Sequence, residues 1–120
     1  MATQDKSCSV APYFRVKPDS LEAFKILCAE CVEKASTEEG CLYYGFSFNG
    51  DMAFCREGYM DADALLAHLA NVGATLDKML ALSELSQFEV HGPASEIQKL
   101  RGPLSGMNPT YFVLAMGFRR

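Results

Sequence analysis

CLYYGFSFNGDMAFCREGY, residues 41 to 59, sets two aromatic-rich runs on either side of Asn49-Gly50. That dipeptide between two apolar runs is the strongest short hairpin signal a sequence offers. A two-residue turn at Asn49-Gly50 predicts Phe48 opposite Asp51, Tyr44 opposite Cys55 and Leu42 opposite Glu57. Strand alternation then puts Leu42, Tyr44, Phe46, Ala53, Cys55, Glu57 and Tyr59 on one face. The other face takes Cys41, Tyr43, Gly45, Ser47, Met52, Phe54 and Arg56. Both faces are largely apolar. A sheet packed on one side only would carry a polar face, so this hairpin is expected to have helices on one side and another body, such as a partner's sheet, on the other.

Working outward, VAPYFRVK (residues 10 to 17) reads as a strand, with Pro12 pointing to an edge or a bulge. Asp19 and Glu22 have the spacing of a capping box, and Leu21, Phe24, Leu27, Cys28, Cys31 and Ala35 then repeat at three and four. This helix should stop between Thr37 and Gly40, where Gly40 supplies a residue tolerant of the left-handed conformation. Beyond the hairpin, Asp61 or Asp63 caps a second helix whose apolar stripe is Leu65, Leu69, Val72, Leu76 and Met79. His68 lies on that stripe, and Asn71 and Gly73 are expected to bend or interrupt the helix. Leu85 to His91 is a strand ended by Gly92-Pro93. Residues 93 to 101 (PASEIQKLR) form a short helix, residues 102 to 109 a loop, and TYFVLAMGF (110 to 118) a last apolar strand. Strands split around helices in this order predict an α+β fold of the ferredoxin-like kind: one antiparallel sheet with helices on one face, in a single domain over residues 1 to 120. The part from about residue 92 is an extension. An apolar second sheet face predicts a homodimer formed through that open face.

Composition narrows the classes of function. Hydrophobic residues make up 49% of the 120 and charged ones 22%, as in an ordinary globular protein. The net charge is -4 and the basic residues are scattered apart from Arg119-Arg120, which argues against a nucleic-acid partner. MATQDKSCSV lacks the apolar run of a signal peptide and no stretch could span a bilayer, so no membrane partner and a cytoplasmic location are expected. Five cysteines, an odd number in a chain long enough to fold without staples, fit reduced thiols. Cys28-x-x-Cys31 falls in the middle of a helix, whereas a redox pair opens one, and no second pair stands at a zinc-like spacing.

Glu39, Gly40, Cys41, Tyr44, Glu57, Tyr59, Asp61, Ala64, Leu65, His68 and Leu69 form a pattern that resembles the antibiotic biosynthesis monooxygenase family of the dimeric α+β barrel superfamily. That family reads E-x-G-C-x-x-Y, then a hairpin, then an aromatic residue followed by A-L-x-x-H-L. The resemblance implies a homodimer whose two sheets close into a barrel, with a ligand cavity in each subunit between sheet and helices. It further implies a cofactor-independent monooxygenase acting on an aromatic or quinone-like small molecule. Family members of that activity rely on tryptophan in the pocket, and this chain has none. Haem-degrading relatives use an asparagine on the first strand, which is also missing here. The tail from Val90 onward looks like an extension found in a subgroup of short bacterial proteins.

The candidate site centres on Glu57 and His68. A histidine on a buried stripe must find hydrogen-bond partners, and a buried carboxylate must be paired or take up a proton. A contact between the two would satisfy both, either as a structural clamp or as a catalytic pair in which Glu57 fixes the tautomer and His68 takes a proton from a phenol-like substrate. Tyr44 and Tyr59 are candidate ligand-binding residues, or core. Tyr13, Arg15 and Asn71 are further candidates. Arg56 and Tyr43 are expected at a dimer interface, His91 at the surface, and the methionines in packing roles. No metal triad, phosphate loop or nucleotide fingerprint is present, so neither metal nor cofactor is expected. The alternatives to an oxygenase are a non-catalytic small-molecule binding protein and a haem-binding protein with His68 as ligand.

Overall fold

The hairpin forms, but its turn is Gly50-Asp51. In the computed structural model, which describes residues 4–120, Asn49 pairs with Met52, Phe48 with Ala53, Phe46 with Cys55 and Tyr44 with Glu57. Gly50 takes a φ of 60° and the residue before it stays in the strand. Glycine alone therefore carries the left-handed position at the first corner of the turn. The register differs by two residues from the Asn49-Gly50 expectation, and because strands alternate with a period of two, the division of side chains between faces survives. Two residues escape it: the ladder slips between Cys41 and Tyr43, leaving Leu42 as a bulge that is 39% exposed and setting Cys41 opposite Tyr59, against the helix-side core.

The elements follow the expected order: β1 (Cys8–Val16), α1 (Leu21–Ala35), β2 (Cys41–Asn49), β3 (Met52–Tyr59), α2 (Ala62–Ala81), β4 (Ser83–Gly92), α3 (Ala94–Arg101), a 3-10 turn (Ser105–Met107) and β5 (Thr110–Val113). The sheet order is β2-β3-β1-β4-β5. The first four strands pair antiparallel in the ferredoxin-like arrangement, whereas β5 runs parallel to β4. A wholly antiparallel sheet was expected, and the difference follows from α3, because a helical crossover returns the chain in its original direction. The last strand is also shorter than expected. Its partner ends at Gly92, opposite Val113; the Leu114 N–H still donates to the Gly92 carbonyl at 2.7 Å, and residues 115 to 118 have no ladder to join.

β1 is the central strand, so Pro12 marks no edge. The ladder to β4 is bulged one residue on, with Tyr13 opposite Gln87 and Phe14 opposite Leu85. Asp19 does not cap α1. It adopts a φ of 69°, and Ser20 takes the cap position without a side-chain hydrogen bond. Gly40 ends the following turn for want of space and not of φ, since a Cβ there would lie 2.5 Å from the Cβ of Ala64. α2 runs unbroken through Asn71 and Gly73. Its N-terminus is capped by Asp61, which accepts from the Ala64 N–H at 2.8 Å.

Both helices pack on one sheet face. One buried cluster joins Phe14, Val16 and Ala53 to Phe24, Cys28 and Cys31 of α1 and to Val72 and Met79 of α2. The other joins Cys8, Val10, Tyr59 and Val90 to Leu65, Ile97, Leu100 and Leu104, so α3 and the turn after it contribute to the core. The other sheet face keeps Tyr43 41% exposed, and the sheet does not close on itself. No described helix is long and apolar enough to cross a membrane. Residues 1 to 3, part of the segment read for a signal peptide, lie outside the described residues.

Candidate functional site

Between α2 and the sheet lies a cavity lined by Val10, Phe46, Cys55, Val72, Leu76 and Phe88, with Tyr44, Glu57 and His68 among them. It leaves about 30 Å³ for the centre of a water molecule to occupy. That is room for roughly two waters, since one needs about 10–15 Å³ on this measure.

His68 is 2% exposed and held by a residue the sequence reading did not single out. Its Nδ1 lies 2.9 Å from both carboxylate oxygens of Glu38, in the turn between α1 and β2. A carboxylate only accepts, so Nδ1 carries the hydrogen and Nε2 is left with a lone pair. Glu38 is itself held by Asn71, whose Nδ2 donates to Oε2 at 2.8 Å and to the Lys34 carbonyl at 3.2 Å. Asn71 therefore acts on the site through Glu38 and does not line the cavity. Burial lowers the proton affinity of the ring by more than Glu38 restores, which favours neutral imidazole near neutral pH.

Glu57 and His68 are neighbours without being each other's partner. Glu57 Oε1 lies 3.7 Å from Nε2, beyond hydrogen-bond range, and accepts instead from the Tyr59 hydroxyl at 2.6 Å. The expected mutual clamp is thus replaced by two separate anchors, and the role of fixing the tautomer falls to Glu38. Burial pushes the Glu57 carboxyl up to about 7, against the opposing hydrogen bonds of Tyr59 and Cys55. The chemical result is a neutral imidazole nitrogen and a carboxyl poised between its two forms, side by side in an apolar chamber.

Tyr44 and Tyr59 flank the ring, with centroids 4.9 Å and 5.0 Å from that of His68. Burial raises the pKa of both phenols, so they remain hydrogen-bond donors at ordinary pH. Tyr13 is not brought to the site. It packs on Phe54 at 4.8 Å on the opposite sheet face, where alternation also places Arg15. Arg56 lies 4.7 Å over the Tyr43 ring on that face. His91, read as a surface residue, is half-buried, stacked on Phe112 and 3.0 Å from Glu89. Burial pushes the thiols of Cys28 and Cys31 up to about 12 and about 11, which suits packing and not redox work. Among the described residues, no group of three or more His, Cys, Asp or Glu side chains is placed to hold a metal ion.

A solved structure of MupZ from Pseudomonas fluorescens is 49% identical to this chain, covers 96% of it and 95% of its own length, and superposes with a TM-score of 0.90. This chain belongs to the MupZ family. Its fold is that of the antibiotic biosynthesis monooxygenases. A structure from Nitrosomonas europaea, given that name provisionally, matches with a TM-score of 0.68 at 19% identity, over 78% of this chain and 96% of its own. One from Caulobacter crescentus, named in the same way, matches at 0.65 and 20% identity, over 72% and 88%. No family profile matches the chain, and no functionally curated protein matches it.

The residues shared with the monooxygenase pattern have a physical logic in the MupZ family member described here. Gly40 lets the first turn of α2 approach at Ala64, and its carbonyl accepts from the Met60 N–H at 2.9 Å. Those contacts fix where α2 starts, and the start of the helix fixes where His68, two turns further on, meets the sheet.

Proposed function

We propose that this MupZ-family chain is a general acid–base enzyme for a small, mainly apolar substrate bearing a phenolic or enolic hydroxyl. The observation that carries the reading is the Nε2 of His68, 3.7 Å from the poised Glu57 carboxyl and not hydrogen-bonded to it, in an apolar chamber. His68 takes the hydroxyl proton through Nε2, and Glu38 stabilises the imidazolium that forms. Glu57, protonated, donates to the oxygen on which negative charge develops. Tyr44 and Tyr59 border the reacting group.

The name of the fold neighbours supports taking this one step further, to a monooxygenase acting on an aromatic or quinone-like ring without a bound cofactor. Proton removal makes the ring electron-rich; the ring supplies the electrons, one oxygen atom enters it and the other leaves as water. Haem held by His68 is the alternative, and a haem absorbance band in the purified protein would favour it. The body acts as a single domain with an extension from about Gly92, in a reducing cytoplasm where its five cysteines stay free. Two copies pair through the open sheet face that carries Tyr13, Tyr43 and Phe54.

Oxygen uptake with a panel of quinols and anthrone-type phenols tests this. Loss of at least about a hundredfold in His68→Ala, with the melting temperature kept, is the expected result. Turnover without oxygen uptake would retain the proton transfer and discard the oxygenase step. Binding of the panel without any turnover would leave a non-catalytic binding protein.

A further inference from the structure

Among the described residues, fourteen of the fifteen that line the cavity beside His68 come from the body of the fold, between Val10 and Phe88; Met107, on the 3-10 turn, is the exception. Its position is fixed from both sides. Three residues earlier, Leu104 is buried in the core with Ile97 and Leu100, and its N–H donates to the Leu100 carbonyl at 3.0 Å. Just beyond, β5 pairs with β4 from Thr110, and the Tyr111 hydroxyl donates to the same Leu100 carbonyl at 3.5 Å. The backbone around Met107 is thus tied down while its side chain forms a wall of the site. The cavity at about 30 Å³ is roughly a tenth of what ligand pockets usually offer, so any substrate must push a wall aside. Most of the walls are strand and helix side chains of the packed core, which resist displacement. Methionine is unbranched, with three rotatable bonds, and moves at least cost.

We propose that Met107 is the specificity-determining gate of this site: its side chain swings away to admit a ligand, and the room it vacates sets the largest ring that enters. This rests on the cavity beside His68 being the ligand site.

The test is titration of the intact protein with 4-fluorophenol, followed by the fluorine NMR signal of the probe, for three variants whose melting temperatures stay near that of the parent. Met107→Ala, which removes the gate, should bind at least about tenfold tighter, since even one methylene in an apolar pocket is worth that much. Met107→Ile keeps the bulk but stiffens it at the β-carbon, and should slow probe exchange and weaken binding. Leu76→Phe narrows the cavity from α2 and should weaken binding whatever Met107 does. Binding that falls in Leu76→Phe and ignores both Met107 variants would overturn the gate while leaving the site beside His68 standing. Binding indifferent to Leu76→Phe would put the probe elsewhere and overturn the gate together with that site.

Discussion

Glu57 is a carboxyl group shut away from water, 6% exposed, and its pKa of about 7 against an ordinary value of 4.5 makes stability depend on pH with a definite sign. Below 4.5 the folded and unfolded chains both hold the proton. Between 4.5 and 7 only the folded chain does, so each step up in pH favours unfolding, and above 7 the full penalty applies. The stability present at low pH is therefore lost as pH rises through this window, by on the order of 3 kcal/mol. Glu57→Gln, which keeps an acceptor for Tyr59, should flatten that slope, and melting temperatures of the two proteins from pH 4.5 to 8 check it. Parallel slopes would place the titrating carboxyl elsewhere. For turnover, His68 must be neutral and Glu57 protonated, so the rate should fall on the acid side below the usual histidine range and on the alkaline side near 7. Glu38→Gln should lower turnover by removing the charge that stabilises the imidazolium, while leaving the Nδ1 hydrogen bond possible. The burial of His68 and Glu57 was legible from the chain, because each is a polar residue at a position of apolar periodicity. The partner role of Glu38 was not: it sits in a polar turn, 30 residues from His68, and only the E-x-G-C register, which counts back two from Gly40, separates it from the solvated Glu39 beside it.

α2 carries the histidine, and its N-terminus is held twice. Asp61 caps it locally, and Glu96 of α3 accepts from the Ala62 N–H at 3.0 Å while pairing with Lys99 at 3.3 Å. The Ala62 hydrogen bond holds the Glu96 carboxyl below the usual range. Asp61→Ala should cost about 1 kcal/mol, as lost caps do. Glu96→Ala strands a buried N–H and should cost about 1–3 kcal/mol. Urea unfolding at fixed pH measures both; a Glu96 variant as stable as the parent would mean that water reaches Ala62 instead. The first cap is visible in the sequence as an aspartate just ahead of an apolar stripe. The second is not, since 34 residues separate donor from acceptor. The hairpin makes the same point in reverse, because its existence was plain from the aromatic runs and Gly50, yet the choice of corner, Gly50-Asp51, rested on backbone geometry that the dipeptide pattern does not specify.

The sheet presents one face to its helices and leaves the other, with Tyr13, Tyr43 and Phe54, without a cover of its own. Beside it the tail leaves Met116 and Phe118 78% and 80% exposed. A dimer through this face predicts that the purified protein sediments at twice the chain mass and that Phe54→Glu shifts it to the monomer, with the cavity on the far side of the sheet unaffected. A monomeric parent at micromolar concentration would refute that arrangement. The element order, the two-faced hairpin and the local cap of α2 all follow from short-range periodicity and turn chemistry, which the chain carries in neighbouring residues. The partner of His68, the separation of Glu57 from it, the direction of β5 and the arrival of Met107 at the cavity wall depend on contacts between residues tens of positions apart. Packing chooses among such contacts only once the core has closed, and that is why the fold was readable in advance and the machinery of its site was not.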